Sequence, residues 1–94
     1  MAQHERYGLI SQVRRAAVSA AANIAEGAGK RGASEFARFV DISLGSLAEI
    51  AYLLLLAKEL GLLQTEDYER LDDLRKRAGG LTWRLVRGLR RQLQ

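Results

Sequence analysis

The 94-residue chain has no cysteine and no proline, and its only histidine is His4, near the N-terminus. Without cysteine there are no disulfides and no thiolate metal sites, a composition that fits a reducing compartment. With one histidine, no serine or threonine can be assigned an imidazole base and no His/Cys cluster exists to hold a metal. No enzymatic activity, cofactor or metal is therefore expected. Long apolar runs are also missing. The longest, "IAYLLLLA" at residues 50–57, falls well short of the roughly twenty residues that span a bilayer. The first residues show no signal-peptide apolar stretch. The expectation is one small cytoplasmic domain covering residues 1–94, with no membrane partner. A chain this short buries only a modest core, so association with copies of itself would help its stability.

Charge is plentiful but uneven. The formal net charge is +4. Residues 1–33 carry five Lys or Arg against two acids, residues 34–64 two against four, and residues 65–94 eight against five. Within the last third every acid lies between Glu66 and Asp73, while from Arg75 onward seven basic residues follow with no acid. Acids at a helix start and bases at its end also complement the helix dipole, which is the plainer explanation of the same pattern.

The stretch "GAGKRG", residues 27–32, satisfies G-x-G-x-x-G, but nucleotide loops need a strand that turns into a helix. The residues before it, "QVRRAAVSAAANIAE", are rich in alanine, with apolar side chains at Leu9, Val13, Ala16, Ala20 and Ile24, and that periodicity is helical. A phosphate-binding loop would need glycine where Ile24 stands and Ser or Thr where Arg31 stands. The segment reads instead as a helix-to-helix turn, with Gly27 ending one helix and Ser34 capping the next. Lys30 and Arg31 beside that helix start could still hold a backbone phosphate of a nucleic acid.

Three helices are expected and no strand: about residues 7–26, 34–60 and 65 to near the C-terminus, with Thr65 as the third N-cap. Short turns make neighbours antiparallel. In the second helix Phe36, Val40, Ser43, Leu47, Ile50, Leu54 and Ala57 alternate spacings of four and three, a bundle seam. A second stripe, Phe39, Ile42, Leu53, Leu56 and Leu60, makes this helix apolar over more than one partner can cover, so it should be central. In the third, the stripe Leu71, Leu74, Ala78, Leu81, Leu85 and Leu89 is expected to face the core. It keeps its register across Gly79 and Gly80, which favours one helix over a split at that pair. The far side of the first helix, Arg14, Val18, Ala22 and Ala25, is mostly small or apolar, which points to cover by another subunit. The predicted fold is all-α, an antiparallel up-and-down bundle completed by oligomerisation.

A polar stripe, Gln12, Arg15, Ser19, Asn23 and Glu26, borders the seam of the first helix, and Arg38, Ser46 and Glu49 flank the second. Antiparallel packing would pair Arg15 with Glu49 and Glu26 with Arg38, a network that fixes helix register. A catalytic reading of Glu26 with Glu49 lacks the accompanying nucleophile and base.

These residues also carry a resemblance. "SQVRRAAVSAAANIAEGAGK" and "EFARFVDISLGSLAEIAYLLLLAKELGLL" resemble the bacterial ribosomal-RNA intervening-sequence proteins, over residues 4 to about 90. Arg15, Ser19, Asn23, Ile24, Ala25, Glu26 and Gly27 fit the family's first block, and Phe39, Gly45, Ser46 and Glu49 its second. The resemblance implies a helical bundle, a ring-like homopentamer and a role in nucleic-acid binding; a relative is an accessory protein to a reverse transcriptase. Family members open with a further amphipathic helix before the segment corresponding to "ERYGL", so apolar surface is expected to be covered between subunits.

The functional expectation is an oligomeric, non-enzymatic protein that binds RNA or DNA without sequence specificity, through Arg75, Lys76, Arg77, Arg84, Arg87, Arg90 and Arg91, with Lys30 and Arg31. Trp83 points away from the leucine seam and is available either to a base or to a subunit contact. The alternative is a module that docks another protein.

Overall fold

The computed structural model describes residues 3–94, and those residues form three helices: α1 (Gln3–Ala28), α2 (Ala33–Glu59) and α3 (Thr65–Arg91). The molecule is an all-α bundle. α1 and α3 each pack antiparallel along α2 and form no interface with one another, so the bundle is open along one side. Its long dimension is 50 Å and its thinnest 13 Å.

The seam of α2 is buried as its spacing requires, with Val40 and Ser43 wholly enclosed and Ile50 and Leu54 nearly so. Two core clusters follow from it. Near one end, Ala37 and Val40 of α2 meet Val86 and Leu89 of α3. Near the other, Ile50 and Leu54 meet Ala16 and Val13 of α1 and Tyr68 of α3. Among the described residues α2 is also the one helix long and apolar enough, by length and composition, to cross a membrane. Here that apolarity serves the two helices packed on either side of it.

The α1·α2 contact is close because its side chains are small. Ala16, Ala20 and Ser43 are buried, and Ser43 Oγ donates to the Ala20 carbonyl at 2.7 Å. Gly27 works by the same rule and not as a terminator. α1 runs on through it to Ala28, and a Cβ on Gly27 would lie 2.8 Å from Phe39 Cβ and 2.9 Å from Phe36 Cδ1. The missing side chain makes room for two phenylalanines. The residues that adopt positive φ are Gly32 (88°) and Gly61 (74°), one before α2 and one after it.

The caps differ from expectation as well. Gly32 takes the N-cap position of α2, which leaves Ser34 inside the helix, and Gln64 precedes α3, which leaves Thr65 as its first residue; neither cap residue makes a side-chain bond. Acids supply part of the compensation: Glu35 lies in the first turn of α2, Glu66 and Asp67 in that of α3.

The largest departure concerns α3. The helix is continuous through Gly79 and Gly80, but of its leucine stripe only the C-terminal end, Leu85 and Leu89, lies at the core. A line of buried and half-buried positions runs through Tyr68, Asp72, Arg75, Gly79, Thr82, Val86 and Leu89, again spaced four and three. Leu71, Leu74 and Leu81 are exposed, Leu81 at 64%, and Leu85 is half-buried. Val86 and Leu89 at one end and Tyr68 at the other hold α3 to α2, and Thr82 is buried between them with its hydroxyl donating to the Ala78 carbonyl at 2.8 Å. That rotation turns the leucines onto the adjoining sector of the helix.

Candidate nucleic-acid interface

Helix periodicity sorts the basic residues of α3 before any tertiary contact does. Arg84, Arg87 and Arg91, spaced three and four, fall on one side, away from Thr82, Val86 and Leu89. All three are exposed, and none has an acidic partner among the described residues. Lys76, Arg77, Gly80, Leu81 and Arg84 line a shallow depression of about 410 Å³. Trp83, 49% exposed, stands next to Arg84.

The other expected cations are engaged, Arg31 excepted. Arg75 is half-buried and gives both Nε and Nη2 to Asp72 Oδ1, at 3.1 and 2.7 Å. This contact, chiefly the hydrogen bond, holds the Asp72 carboxyl below the ordinary carboxylate range. Lys76 reaches the other oxygen of Asp72 at 3.5 Å, and Arg77 meets Asp73 at 3.3 Å. Arg90 bonds Asp41, tying the end of α3 to α2. Lys30 pairs with Glu26 at 3.4 Å and lies over the Phe39 ring, while Arg31 is exposed in the turn without an acidic partner among the described residues.

The expected α1·α2 ion pairs do not form. Arg15 donates to Ser11 Oγ at 3.3 Å, Glu26 takes Lys30, and Arg38 takes Glu35 while stacking 4.6 Å from the Phe39 centroid. The hydrogen bond from Arg38 is the main cause that lowers the Glu35 carboxyl and raises the guanidinium. Arg15, Glu26, Arg38 and Glu49 are all exposed. Each of the three that bonds does so with a residue three or four positions away in sequence, where reach costs little chain entropy. The uncharged part of the network crosses the interface at one point, where Ser46 Oγ donates to Ser19 Oγ at 3.0 Å; within α1, Asn23 Nδ2 donates to the Ser19 carbonyl at 2.8 Å and its hydroxyl at 3.2 Å.

Sequence reasoning missed the Asp41–Arg90 tie and the room that Gly27 gives the two phenylalanines. The acid at position 41, one residue after the seam position Val40, was the available signal for the first. The second had none, because glycine beside a turn is normally read as a terminator. Among the described residues, no group of three His, Cys, Asp or Glu side chains comes together to hold a metal ion.

The family model for the 23S rRNA-intervening sequence protein matches residues 1–82. The chain belongs to that family. Both sequence blocks that carry the resemblance lie inside the matched stretch, and so does the α1·α2 hairpin with Gly27, Ser19 and Ser46 at its contact. Arg84, Arg87 and Arg91 lie past it, so the family match does not extend over these three arginines. No curated protein matches the chain.

Proposed function

We propose that this chain is a non-enzymatic, self-associating helical-bundle protein that binds RNA or DNA through backbone phosphates on the outer side of α3. The observation that carries the reading is the row Arg84, Arg87 and Arg91: three exposed guanidiniums on one side of a rigid helix, none neutralised by an acid among the described residues. Guanidiniums are suited to phosphate oxygens, and phosphate contacts give affinity without reading sequence. Arg31 and the partly engaged Lys76 and Arg77 extend the positive surface. Arg75 and Arg90 serve the fold instead, through Asp72 and Asp41.

Self-association is part of the proposal. Val18 on the outward side of α1 is 67% exposed, and Tyr52 on α2 is 65% exposed. Burying such surface between copies stabilises both. Copies arranged around a ring, as family membership suggests with five, would present many arginine rows at once and multiply a weak contact.

Charge reversal tests the reading. Arg84→Glu, Arg87→Glu and Arg91→Glu together are expected to lower affinity for a duplex at least tenfold at low salt, with helicity and oligomer size unchanged, since none of the three supports the core. Unchanged binding by the triple variant would refute the assignment and leave protein docking as the better account.

A further inference from the structure

α3 carries the chain's only tryptophan, Trp83, and two adjacent glycines, Gly79 and Gly80, one turn before it. Glycine weakens a helix interior, and packing requires neither of these two. A Cβ on Gly79 would meet nothing within 4 Å, and one on Gly80 only Arg84 Nη2 at 3.9 Å, an ordinary contact. Their effect falls on Trp83. Helical side chains lean toward the N-terminus, so residues three and four before an aromatic ring normally cover one of its faces. Here those positions are Gly80 and Gly79, which have no side chain to offer. The indole is 49% exposed and belongs to neither core cluster. Cation–π contacts among the described residues are at Phe39 and Tyr68, so no cation of the chain caps the indole.

The bare ring face adjoins the cationic one. At 100° per residue, Lys76, Gly80, Arg84, Arg87 and Arg91 fall in one sector of α3 with Trp83 at its edge. Arg84, Arg87 and Arg91 have no acidic partner among the described residues. Together they run about 10 Å along the helix, a span that covers more than one phosphate of a single strand. A duplex offers phosphates here but keeps its bases stacked on one another, whereas a single strand offers phosphates and a free base. A second copy using the same sector would set arginine row against arginine row.

We propose that this face of α3 prefers single-stranded nucleic acid to duplex, with a base stacked on the Trp83 indole beside Gly79 and Gly80 and the flanking phosphates held by Arg84 and Arg87. The inference rests on the phosphate-binding reading above and adds a strand preference to it. Every base has a π-face, so the stack adds affinity without reading sequence.

Three labelled ligands of about twelve nucleotides test this with the full chain at low salt: an oligothymidine strand, an abasic strand with the same phosphates, and a duplex. The thymidine strand is expected to bind at least about fivefold more tightly than the abasic one. It should also quench the emission of Trp83, which reports alone when excitation spares the tyrosines, and the abasic strand should not. Trp83→Leu, which keeps apolar bulk without a π-face, should bring the thymidine strand down to the abasic affinity, and Trp83→Tyr should restore most of the difference. Gly80→Leu should cover the ring face and erase the preference while melting no lower than the parent, since leucine favours the helix and the site has room for its Cβ. Equal binding of thymidine and abasic strands, with the indole unquenched, would overturn the stacking and leave phosphate binding standing. Absence of binding to all three ligands would overturn both. A Trp83→Leu variant of altered oligomer size would overturn the proposal in favour of a subunit contact.

Discussion

Glycine positions separate two kinds of small residue in this chain. At Gly27 the added methyl of alanine would collide with Phe39 Cβ and Phe36 Cδ1. Overpacking of about 1 to 3 kcal/mol should therefore outweigh the helix-propensity gain of alanine, which is about 1 kcal/mol at most. At Gly45, mid-way along α2, a methyl would meet nothing within 4 Å. Gly45→Ala should raise stability by about 0.5 to 1 kcal/mol. Thermal melts of the two variants are expected to move in opposite directions. Arg15 and Glu49 give a third comparison, because sequence spacing paired them across the α1·α2 contact and the structure leaves both exposed and unpaired with each other. Arg15→Ala and Glu49→Ala should each change stability by less than about 0.5 kcal/mol, in place of the several kcal/mol that breaking a buried ion pair costs. Residue-scale chemistry was the least legible part of the sequence. Arg15 and Glu26 had partners four residues away in sequence, and a pattern of residue types does not say whether a local or a cross-helix partner wins.

At the scale of the helix, existence and order were readable and orientation was not uniformly so. α2 was legible as the central helix because its apolar side chains occupy too much of the circumference for one neighbour, and the burial of Val40, Ser43, Ile50, Leu53 and Leu54 follows that pattern. The α1 seam was legible from the spacing of Leu9, Val13, Ala16, Ala20 and Ile24. α3 carries two heptad-spaced lines side by side, and hydrophobicity alone favoured the wrong one. Anchoring by Tyr68, Val86 and Leu89 decided the rotation, with a charged pair, Asp72 and Arg75, accommodated half-buried at the contact. The pair makes α3 sensitive to acid. The Asp72 carboxyl is lowered in the fold, so its contribution is present above the unfolded carboxylate value near 3.9 and is lost as pH falls through the folded value. Asp72→Asn should cost about 1 to 3 kcal/mol at neutral pH. The gap in melting temperature between parent and variant should stay constant above about pH 5 and narrow below about pH 4. A gap independent of pH down to 3 would show that the carboxylate charge does not support the helix.

The whole molecule is a three-helix layer with one open side and an unevenly charged third helix, and its family was legible from two blocks of residues in α1 and α2. How copies assemble was not: no intrachain spacing encodes an intermolecular contact, and exposed Val18 and Tyr52 only say that surface is available. Sedimentation at micromolar concentration is expected to show an oligomer, and a stable folded monomer would contradict self-association. The cationic surface behind the proposed phosphate binding was legible as a charge imbalance, whereas the division between structural cations such as Arg75 and Arg90 and unpaired ones such as Arg84, Arg87 and Arg91 needed the side-chain contacts of the fold. Affinity for fluorescent duplex DNA and duplex RNA of about 20 base pairs, measured across a series of salt concentrations, tests phosphate binding most directly. Three arginines per subunit at about 0.9 per phosphate predict that log affinity falls linearly with log salt, with a slope steeper than about −2.5 that flattens in the Arg84, Arg87 and Arg91 triple variant. No binding to either duplex at 50 mM salt, or a slope near zero that the triple variant leaves unchanged, would contradict it.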